Sequence, residues 1–490
     1  MARKQWEAPH VVHARMGCRD RKALLLIGIL SVGAALLVGG CSGIATRHEE
    51  SARRDIKETK SRYRPQDAKP PLPTLTENSA LPDLIHYAFL NSPRVEAAFY
   101  DWAASVEEIT TARSLPDPML NFGATISQGI PSLSAALMTD PGMNWPGPGK
   151  LPLKAEAAYA EAQMKRALFE DELLASALAV KRAYYEMWVL QEQVRWTREV
   201  LAFSSETEAL ARGRLAVSRT TQADVLRAQM EQDRLRNRLA DLQDARGPLE
   251  TRLRTALGLA PGAPLPKFAA RLQASPADFT ERSLMETAFV LNPRLKAMHG
   301  EVLQAVALYE LARKNTVPDY SFGVGVSGDG MSPVAVMPSF GITLPIWRDK
   351  IAAEIARGSS RTDAARSRLS AEELELAVRF AETAYAWREA DRAAGLYGRN
   401  LIPKAQSSLD SARAGYVGGL SNFSDLLDAE RMLLEYHLSH AEAVGRREIV
   451  LAEMSLVVLG RWPEKVGTLL PENVAGTAGG GKSVKKGDAP

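Results

Sequence analysis

Residues 320–327 read Tyr-Ser-Phe-Gly-Val-Gly-Val-Ser, with a large apolar or aromatic side chain at every second position and a small one between. Residues 334–346 follow a similar alternation after the turn-rich segment 328–330. A period of two predicts a β-strand with two unlike faces, and two such strands joined by a turn form a hairpin. One face is continuously apolar and the other is small and polar. This pattern is typical of a strand between lipid and a water-filled lumen, although a hairpin in a soluble sandwich shows it too.

A second copy of this hairpin lies earlier in the chain. Residues 120–127 alternate Leu, Phe, Ala and Ile with Asn, Gly, Thr and Ser. The segments before the two hairpins also correspond, because Ala88-Phe-Leu-Asn-Ser-Pro93 recurs as Ala288-Phe-Val-Leu-Asn-Pro293, a shift of 200 residues (293 − 93). An internal repeat of this length predicts a duplicated unit with the order helix, hairpin, long helix, turn and helix.

Helical patterns surround each hairpin. Residues 84–112 and 284–314 each have the pattern of one helix, and residues 154–213 contain no proline and place apolar residues at spacings of four and three. A helix over 154–213 would be roughly 90 Å long at about 1.5 Å per residue, which is unusual for a globular domain. The predicted fold class is therefore mainly α, with a pair of membrane β-hairpins in a duplicated unit.

The first 80 residues are predicted to be a targeting segment and a tether. Basic residues precede an uncharged run over 23–38 that ends in Gly39-Gly40-Cys41, which is typical of a secretory signal. A transmembrane anchor is the alternative for this run, and Met16 is an alternative start. The residues before Cys41 also resemble a bacterial lipobox, which would make Cys41 an acylated first residue. The segment from Gly43 to about Ala80 is charged and then proline-rich, so an extended tether is predicted.

Composition and motifs exclude several functional classes. A net charge of +3 with 24% charged residues gives no basic stripe for nucleic acid, and two cysteines provide neither a disulfide framework nor a cysteine metal site. The sequence contains no nucleophile and base pair, glycine-rich phosphate loop or metal-ligand cluster. We therefore predict a non-enzyme with no catalytic residue, no metal site and no cofactor other than a covalent lipid on Cys41.

The number of strands predicts an oligomer. Four strands per chain cannot close a membrane barrel, since the smallest have about eight. An open sheet in lipid would leave its edge amides unpaired at several kcal/mol each. If the hairpins lie in a membrane, several chains must therefore share one barrel, and three chains would supply twelve strands.

Several motifs together resemble the TolC-type outer-membrane efflux channels (outer membrane factors). They are the duplicated order, the strand exit Leu344-Pro-Ile-Trp347, and the run from Gln406 through Ala414-Gly-Tyr416 to Asp425-Leu-Leu-Asp428-Ala429. The resemblance extends from about Leu81 to Gly460. It implies a homotrimer with a 12-stranded β-barrel in the outer-membrane lipid, continued by an α-helical barrel in the periplasm. It also implies two partners, a periplasmic adaptor and an inner-membrane efflux pump of the RND type.

The resemblance also gives a domain organisation and a function. The channel would conduct passively whatever the pump exports, and the exit at 145–150 resembles members that serve heavy-metal pumps. The alternative is a lipid-anchored periplasmic coiled-coil scaffold without channel activity, and an envelope hydrolase ranks third. The predicted ranges are a signal peptide at 1–40, a lipid-anchored tether at 41–80, a first efflux repeat at 81–260 with strands at about 118–145, an equatorial linker at 261–280, a second repeat at 281–465 with strands at about 319–347, and a disordered tail at 466–490.

Candidate site residues lie where each long helix turns back. Asp425 and Asp428 are three apart on one helical face, so a threefold axis would stack them into acidic rings that attract cations. The resemblance implies that they form a periplasmic gate, with Tyr416 and Asp224 in an opening latch. The family's latch arginine is replaced by Ser421. A solvated helix start is the alternative for the two aspartates.

The turns themselves are the predicted docking tips for the adaptor. They comprise Leu215, Val217, Ser218, Val417, Gly418, Gly419 and Leu420.

We predict that Cys41→Ala abolishes acylation, because the thiol is the only attachment point that the lipobox pattern provides. Metabolic labelling with palmitate measures this directly. Cys18→Ala, which alters the other cysteine, is the matched control and should leave labelling unchanged; label retained in Cys41→Ala would contradict the lipobox assignment.

Overall fold

The computed structural model describes residues 46–76, 79–127, 130–139, 145–265, 272, 281–328 and 335–457. The chain divides into the units Met1–Arg47 and His48–Pro490, and the contacts below lie within the second. The predicted signal segment, Cys41 and the predicted tail fall outside the described residues. Among the helices that are described, none combines the length and the apolar character needed to cross a membrane.

The described elements repeat in two halves. The first half contains α1 Arg47–Tyr63, α2 Leu81–Asn91, α3 Pro93–Arg113, β1 Pro118–Ser127, β2 Ile130–Thr139, α4 Lys150–Ala216, α5 Gln222–Asp244 and α6 Arg246–Ala256. The second half contains α7 Glu281–Leu291, α8 Pro293–Arg313, β3 Tyr320–Gly328, β4 Ala335–Ile342, α9 Arg348–Leu396, a π-helical turn Tyr397–Leu401, α10 Ile402–Gly418 and α11 Phe423–Val457. The mainly helical fold class and its two hairpins are confirmed.

The long helix predicted from the sequence is α4. It has 67 residues, which corresponds to about 100 Å at about 1.5 Å per residue. Its predicted apolar seam is buried at Leu173, Ala177, Val180, Tyr184 and Met187. α4 packs against α3 and α8 and also against α5 and α11. The helix is thus stabilised by tertiary contacts with both halves of the chain.

The prediction of one helix before each hairpin is wrong. Each helix is interrupted, at Ser92 and at Asn292, where the backbone is extended with ψ of 121° and 123°. The cause is the following proline, since Pro93 and Pro293 disfavour the α conformation in the preceding residue but fit the first turn of the next helix.

An asparagine at each interruption binds the end of the last helix of its half, α6 in the first half and α11 in the second. The Asn91 side-chain amide donates to the carbonyls of Leu257 and Gly258, both at 3.0 Å. In the second half, the Asn292 amide donates to the carbonyl of Val457 at 2.9 Å. The duplication read from the sequence is therefore present in long-range contacts as well.

The two hairpins form one antiparallel sheet in the order β1-β2-β3-β4. The register keeps the bulky positions on one face, because Phe322 lies opposite Phe340 and Phe122 lies opposite Ala135, which in turn lies opposite Val326. In the single chain this face is exposed, with Phe122 at 75% and Phe340 at 63%. Serines and glycines predominate on the opposite face. The predicted alternation is confirmed, and the pairing of β2 with β3 is the additional contact that joins the hairpins.

The extended conformation predicted for 43–80 is wrong over α1, which is helical and docked on α3. The reason is the carboxylate of Glu49, which is 1% exposed and accepts hydrogen bonds from Arg113, from Thr110 at 2.7 Å and from Arg53 at 3.2 Å. These bonds, led by that from Arg113, lower the pKa of Glu49 to about 2. Arg53 also reaches Glu107 at 2.7 Å. Charged residues that suggest a solvated tether in the sequence instead anchor a helix.

We predict that Glu49→Gln releases α1 from α3. The substitution removes the charge while leaving Arg113 in place. We expect a loss of about 2 kcal/mol in the free energy of docking α1 on α3. This is less than the cost of breaking a fully buried ion pair, because Arg53 is partly exposed. Trypsin should then cleave within α1 faster than in the native protein. In the native protein, release should begin as the pH falls below about 4.5, the ordinary pKa of Glu49, and continue towards its folded-state pKa.

Glu58→Gln is the matched control for this experiment. Glu58 is 51% exposed and pairs with Arg62 within α1 itself. Equal cleavage rates for the two variants would contradict the anchoring role of Glu49.

Candidate functional site

The first turn joins α4 to α5 and is fixed by its own polar residues. Ser218 has φ 56°, in the left-handed region, and this reverses the chain after α4. Thr221 then caps α5, since its hydroxyl accepts from the Asp224 amide at 3.3 Å while the Asp224 carboxylate accepts from the Thr221 amide at 3.2 Å. Asp224 is therefore a helix-capping residue, whatever further role it has.

The second turn joins α10 to α11. Gly419 ends α10 with φ 80°, a conformation that a side chain would strain. The Ser421 hydroxyl donates to the Ala412 carbonyl at 3.0 Å, and the Asp425 carboxylate accepts from the Asn422 amide at 3.0 Å. The two turns thus have the same construction, a left-handed residue followed by an acidic capping residue.

Tyr416 and Asp224, the two predicted latch residues, are brought near each other. Tyr416 is 3% exposed, packs edge-on against Phe423 at 5.7 Å and directs its hydroxyl to Thr220 at 3.5 Å. Thr220 in turn donates to the Asp224 carboxylate at 2.9 Å. The connection between Tyr416 and Asp224 therefore passes through Thr220.

An arginine does cross between the turns, but from the opposite half of the chain to the one expected. Arg214, near the end of α4, lies over the Tyr416 ring at 4.5 Å and donates to the Tyr416 carbonyl. Arg227 of α5 also bridges the turns, reaching Asp224 and the Ser424 hydroxyl, each at 3.3 Å. Ser421, where the resemblance places the family's latch arginine, bonds within its own half of the chain, since its hydroxyl donates to the Ala412 carbonyl of α10.

The electrostatics of the first turn keep Asp224 ionised. Burial alone would raise the pKa of its carboxyl, but hydrogen bonds from Thr221 and Thr220 and the charge of Arg227 outweigh burial and lower the pKa. An ionised Asp224 can hold the polar chain from Tyr416 over the whole neutral range.

Asp425 and Asp428 are both exposed in the first turns of α11. Asp428 is 70% exposed, and its nearest basic partner is Arg431 at 3.7 Å, a long contact for an ion pair. The two residues between them, Leu426 and Leu427, are buried and pack into the apolar cluster that contains Tyr416. The two aspartates are therefore presented to solvent from a helix start whose other face is anchored.

The predicted docking tips are exposed at the turns, except for Leu215, which is half-buried against the apolar cluster that contains Tyr416. Leu420 is 91% exposed, Val217 64% and Val417 60%. Apolar side chains this exposed at adjacent turns form a surface that a protein partner can cover.

Several residues of this region carry no signal in the sequence. Arg214, Thr220 and Arg227 are ordinary helix-end residues until the two turns are placed side by side. Their partners lie about 200 positions away, so only the repeat offset of 200 residues could have suggested looking for them.

Comparison with known proteins places the chain in a family. Residues 84–259 and 284–457 each match the family described as outer membrane efflux protein. The chain is 22% identical, over 346 residues, to the cobalt-zinc-cadmium resistance protein CzcC of Cupriavidus metallidurans, covering 69% of this chain and 80% of that protein.

Solved structures share the fold. The outer membrane protein VceC of Vibrio cholerae superposes with a TM-score of 0.65 at 16% identity, over 77% of this chain and 95% of that one. The open-state outer membrane channel MtrE of Neisseria gonorrhoeae gives 0.64 at 19% identity, over 78% and 89%. Because the family matches extend over both halves, the chain belongs to the outer membrane efflux protein family, whose members are channels and not enzymes.

Proposed function

We propose that this protein is the outer-membrane duct of a tripartite export system, working as a homotrimer with a periplasmic adaptor and an inner-membrane pump. The single observation that carries this proposal is the four-stranded sheet with one exposed apolar face and two open edges, β1 and β4. In lipid those edges need partners, since unpaired amides cost several kcal/mol each. Pairing β4 of one chain with β1 of the next supplies them.

The helices offer a second surface for neighbouring copies. Leu374, Val378 and Tyr385 of α9 are 70%, 55% and 57% exposed and follow each other at spacings of four and seven on one helical face. An apolar stripe of this length in a periplasmic segment needs a cover. A copy of the same chain, positioned by the shared barrel, is the cover we infer.

The turns would lie at the periplasmic end, away from the sheet. There the exposed residues Leu420, Val417 and Val217 are the docking tips for the adaptor, and Asp425 with Asp428 line a constriction. A lipid on Cys41 would add a second attachment to the outer membrane. The pump supplies the energy and the duct supplies the path.

The substrate that the channel exports can be inferred only as a broad class. The relative from Cupriavidus metallidurans is named for cobalt, zinc and cadmium resistance. Acidic rings at a narrow mouth would attract divalent cations. We therefore infer export of heavy-metal cations or of drugs, with the metal function favoured by that relative.

We predict that the double variant Asp425→Ala with Asp428→Ala raises single-channel conductance and weakens block by divalent cations. Removing the carboxylates widens the constriction and takes away the negative charge that concentrates the blocking ion. Planar bilayer recording measures both quantities. Asp244→Ala, at the far end of α5 and exposed, is the control; a conductance unchanged in the double variant would reject the gate.

We also predict that the two faces of β4 respond differently to charge. Phe340→Asp should prevent recovery of oligomer in the outer-membrane fraction, while Phe340→Leu should not, because lipid rejects charge but tolerates any apolar shape. Ser339→Asp, on the lumen-facing side of the same strand, is the matched control and should assemble.

The scaffold alternative gives a different pattern. If the bulky face lay in a protein core, Phe340→Leu would leave a cavity and be damaging as well. Sensitivity of assembly to the size of this side chain would therefore contradict the membrane assignment.

A further inference from the structure

A polar layer interrupts the apolar packing above the proposed gate. On its gate side lies the cluster around Tyr416, Leu426 and Val225, and on its far side the cluster around Val200 and Leu434. Between them α4, α5 and α11 place a set of buried polar side chains. These are Ser204, Thr207, Glu231, Gln232 and Glu430, each no more than 6% exposed.

Two members of this layer, Ser204 and Glu430, have a buried side-chain oxygen without a hydrogen-bond partner among the described residues, and Glu430 is the acidic one. It is 3% exposed, and Thr207 of α4 donates a hydrogen bond to its Oε1. Its Oε2 is buried and has no hydrogen-bond partner among the described residues. A buried carboxylate without a compensating partner is far costlier than the neutral acid.

The charged groups around Glu430 do not neutralise it, because the nearby arginines are paired with other carboxylates. Arg431 binds Glu231 of α5 at 2.6 Å, and Arg413 of α10 binds Glu206 of α4 at 2.8 Å. Burial, together with the like charges of Glu231 and Glu206, raises the pKa of Glu430 to about 7 against the opposing effects of Thr207 and Arg413.

Two other titratable groups near this layer keep one charge state across neutral pH. Hydrogen bonds from Gln229 and Gln232, with that from Arg212, lower the pKa of Glu208 to about 2. Further along α11, burial lowers the pKa of His437 to about 4. Neither group changes its charge between pH 6 and 8, whereas the pKa of Glu430 lies within that range.

We propose that Glu430 is a proton-binding site that holds α11 against α4 and α5 while it is protonated. Loss of the proton puts a second buried carboxylate beside Glu231, and the contact between the helix pairs weakens. The proposal rests on the proposed function, because α11 carries Asp425 and Asp428 and its displacement moves the gate.

The sign of the pH dependence follows from this assignment. A carboxyl with a raised pKa in the packed state contributes its stability fully below its ordinary pKa of about 4.5, and the contribution is lost as the pH rises to about 7. Acid therefore favours the packed, closed arrangement, and alkaline pH favours opening.

The first test is the open probability of the channel in planar bilayers at pH 6 and pH 8. If Glu430 regains its ordinary pKa on opening, the open-to-closed ratio should rise about tenfold per subunit over this range. Glu430→Gln should be independent of pH, and Thr207→Val should shift the midpoint to higher pH, since it removes a bond that favours the ionised form. Glu435→Gln, an exposed position on α11, should behave as the native protein does.

The second test is the thermal unfolding midpoint of the full trimer at the same two pH values, which needs no conduction. The native midpoint should fall from pH 6 to pH 8 by more than that of Glu430→Gln. Identical pH dependence in these two proteins, in either test, overturns the proposal. A native protein that never conducts would instead contradict the proposed function, and the unfolding test would still decide the role of Glu430.

Discussion

The structure depends on one constraint, which is that the backbone amides of a sheet in lipid must all be paired. Each half of the chain supplies one hairpin, and pairing of β2 with β3 merges the two into one sheet. That still leaves β1 and β4 as edges. Duplication within the chain therefore solves only part of the problem, and the association between chains that we propose would solve the rest. The helices that adjoin the strands also join the two halves. α3 packs against α4, α4 against α8, and α8 against α9.

The two halves have similar folds but contribute different chemistry at the turns. The second half supplies Tyr416 and the aspartates, whereas the first half supplies Arg214 and Thr220, which reach across to the second turn. A single unit repeated identically would place the same groups on both sides. Divergence between the copies is thus what turns a symmetric scaffold into a site with two complementary sides.

Periodicity predicted the strands and the long helix because both are local patterns with a large apolar signal. The alternation over 320–327 survives in the register, where Phe322 lies opposite Phe340. Local patterns did not predict the helical state of α1 or the buried position of Glu430, because each depends on partners distant in the chain. Glu49 contacts Arg113 and Glu430 contacts Thr207, and a charged residue in a helical sequence is ordinarily solvated. The two helix interruptions do have a local signal, because Pro93 and Pro293 each disfavour the α conformation in the residue before them.

The distribution of contact types decides which end of the molecule can move. At the sheet end, continuous hydrogen-bond ladders join the strands, and breaking one of them exposes many amides at once. At the turn end, the two helix pairs share the apolar cluster around Tyr416, Leu426 and Val225. The polar contacts between them are a ring contact, a 3.5 Å hydroxyl contact and single hydrogen bonds from arginines, with the polar layer around Glu430 behind them. Each such bond contributes about 1 kcal/mol net, and polar groups that separate can bond to water instead. The polar contacts at the turns therefore oppose movement less than the strand ladders do, and the turns are where we propose the gate.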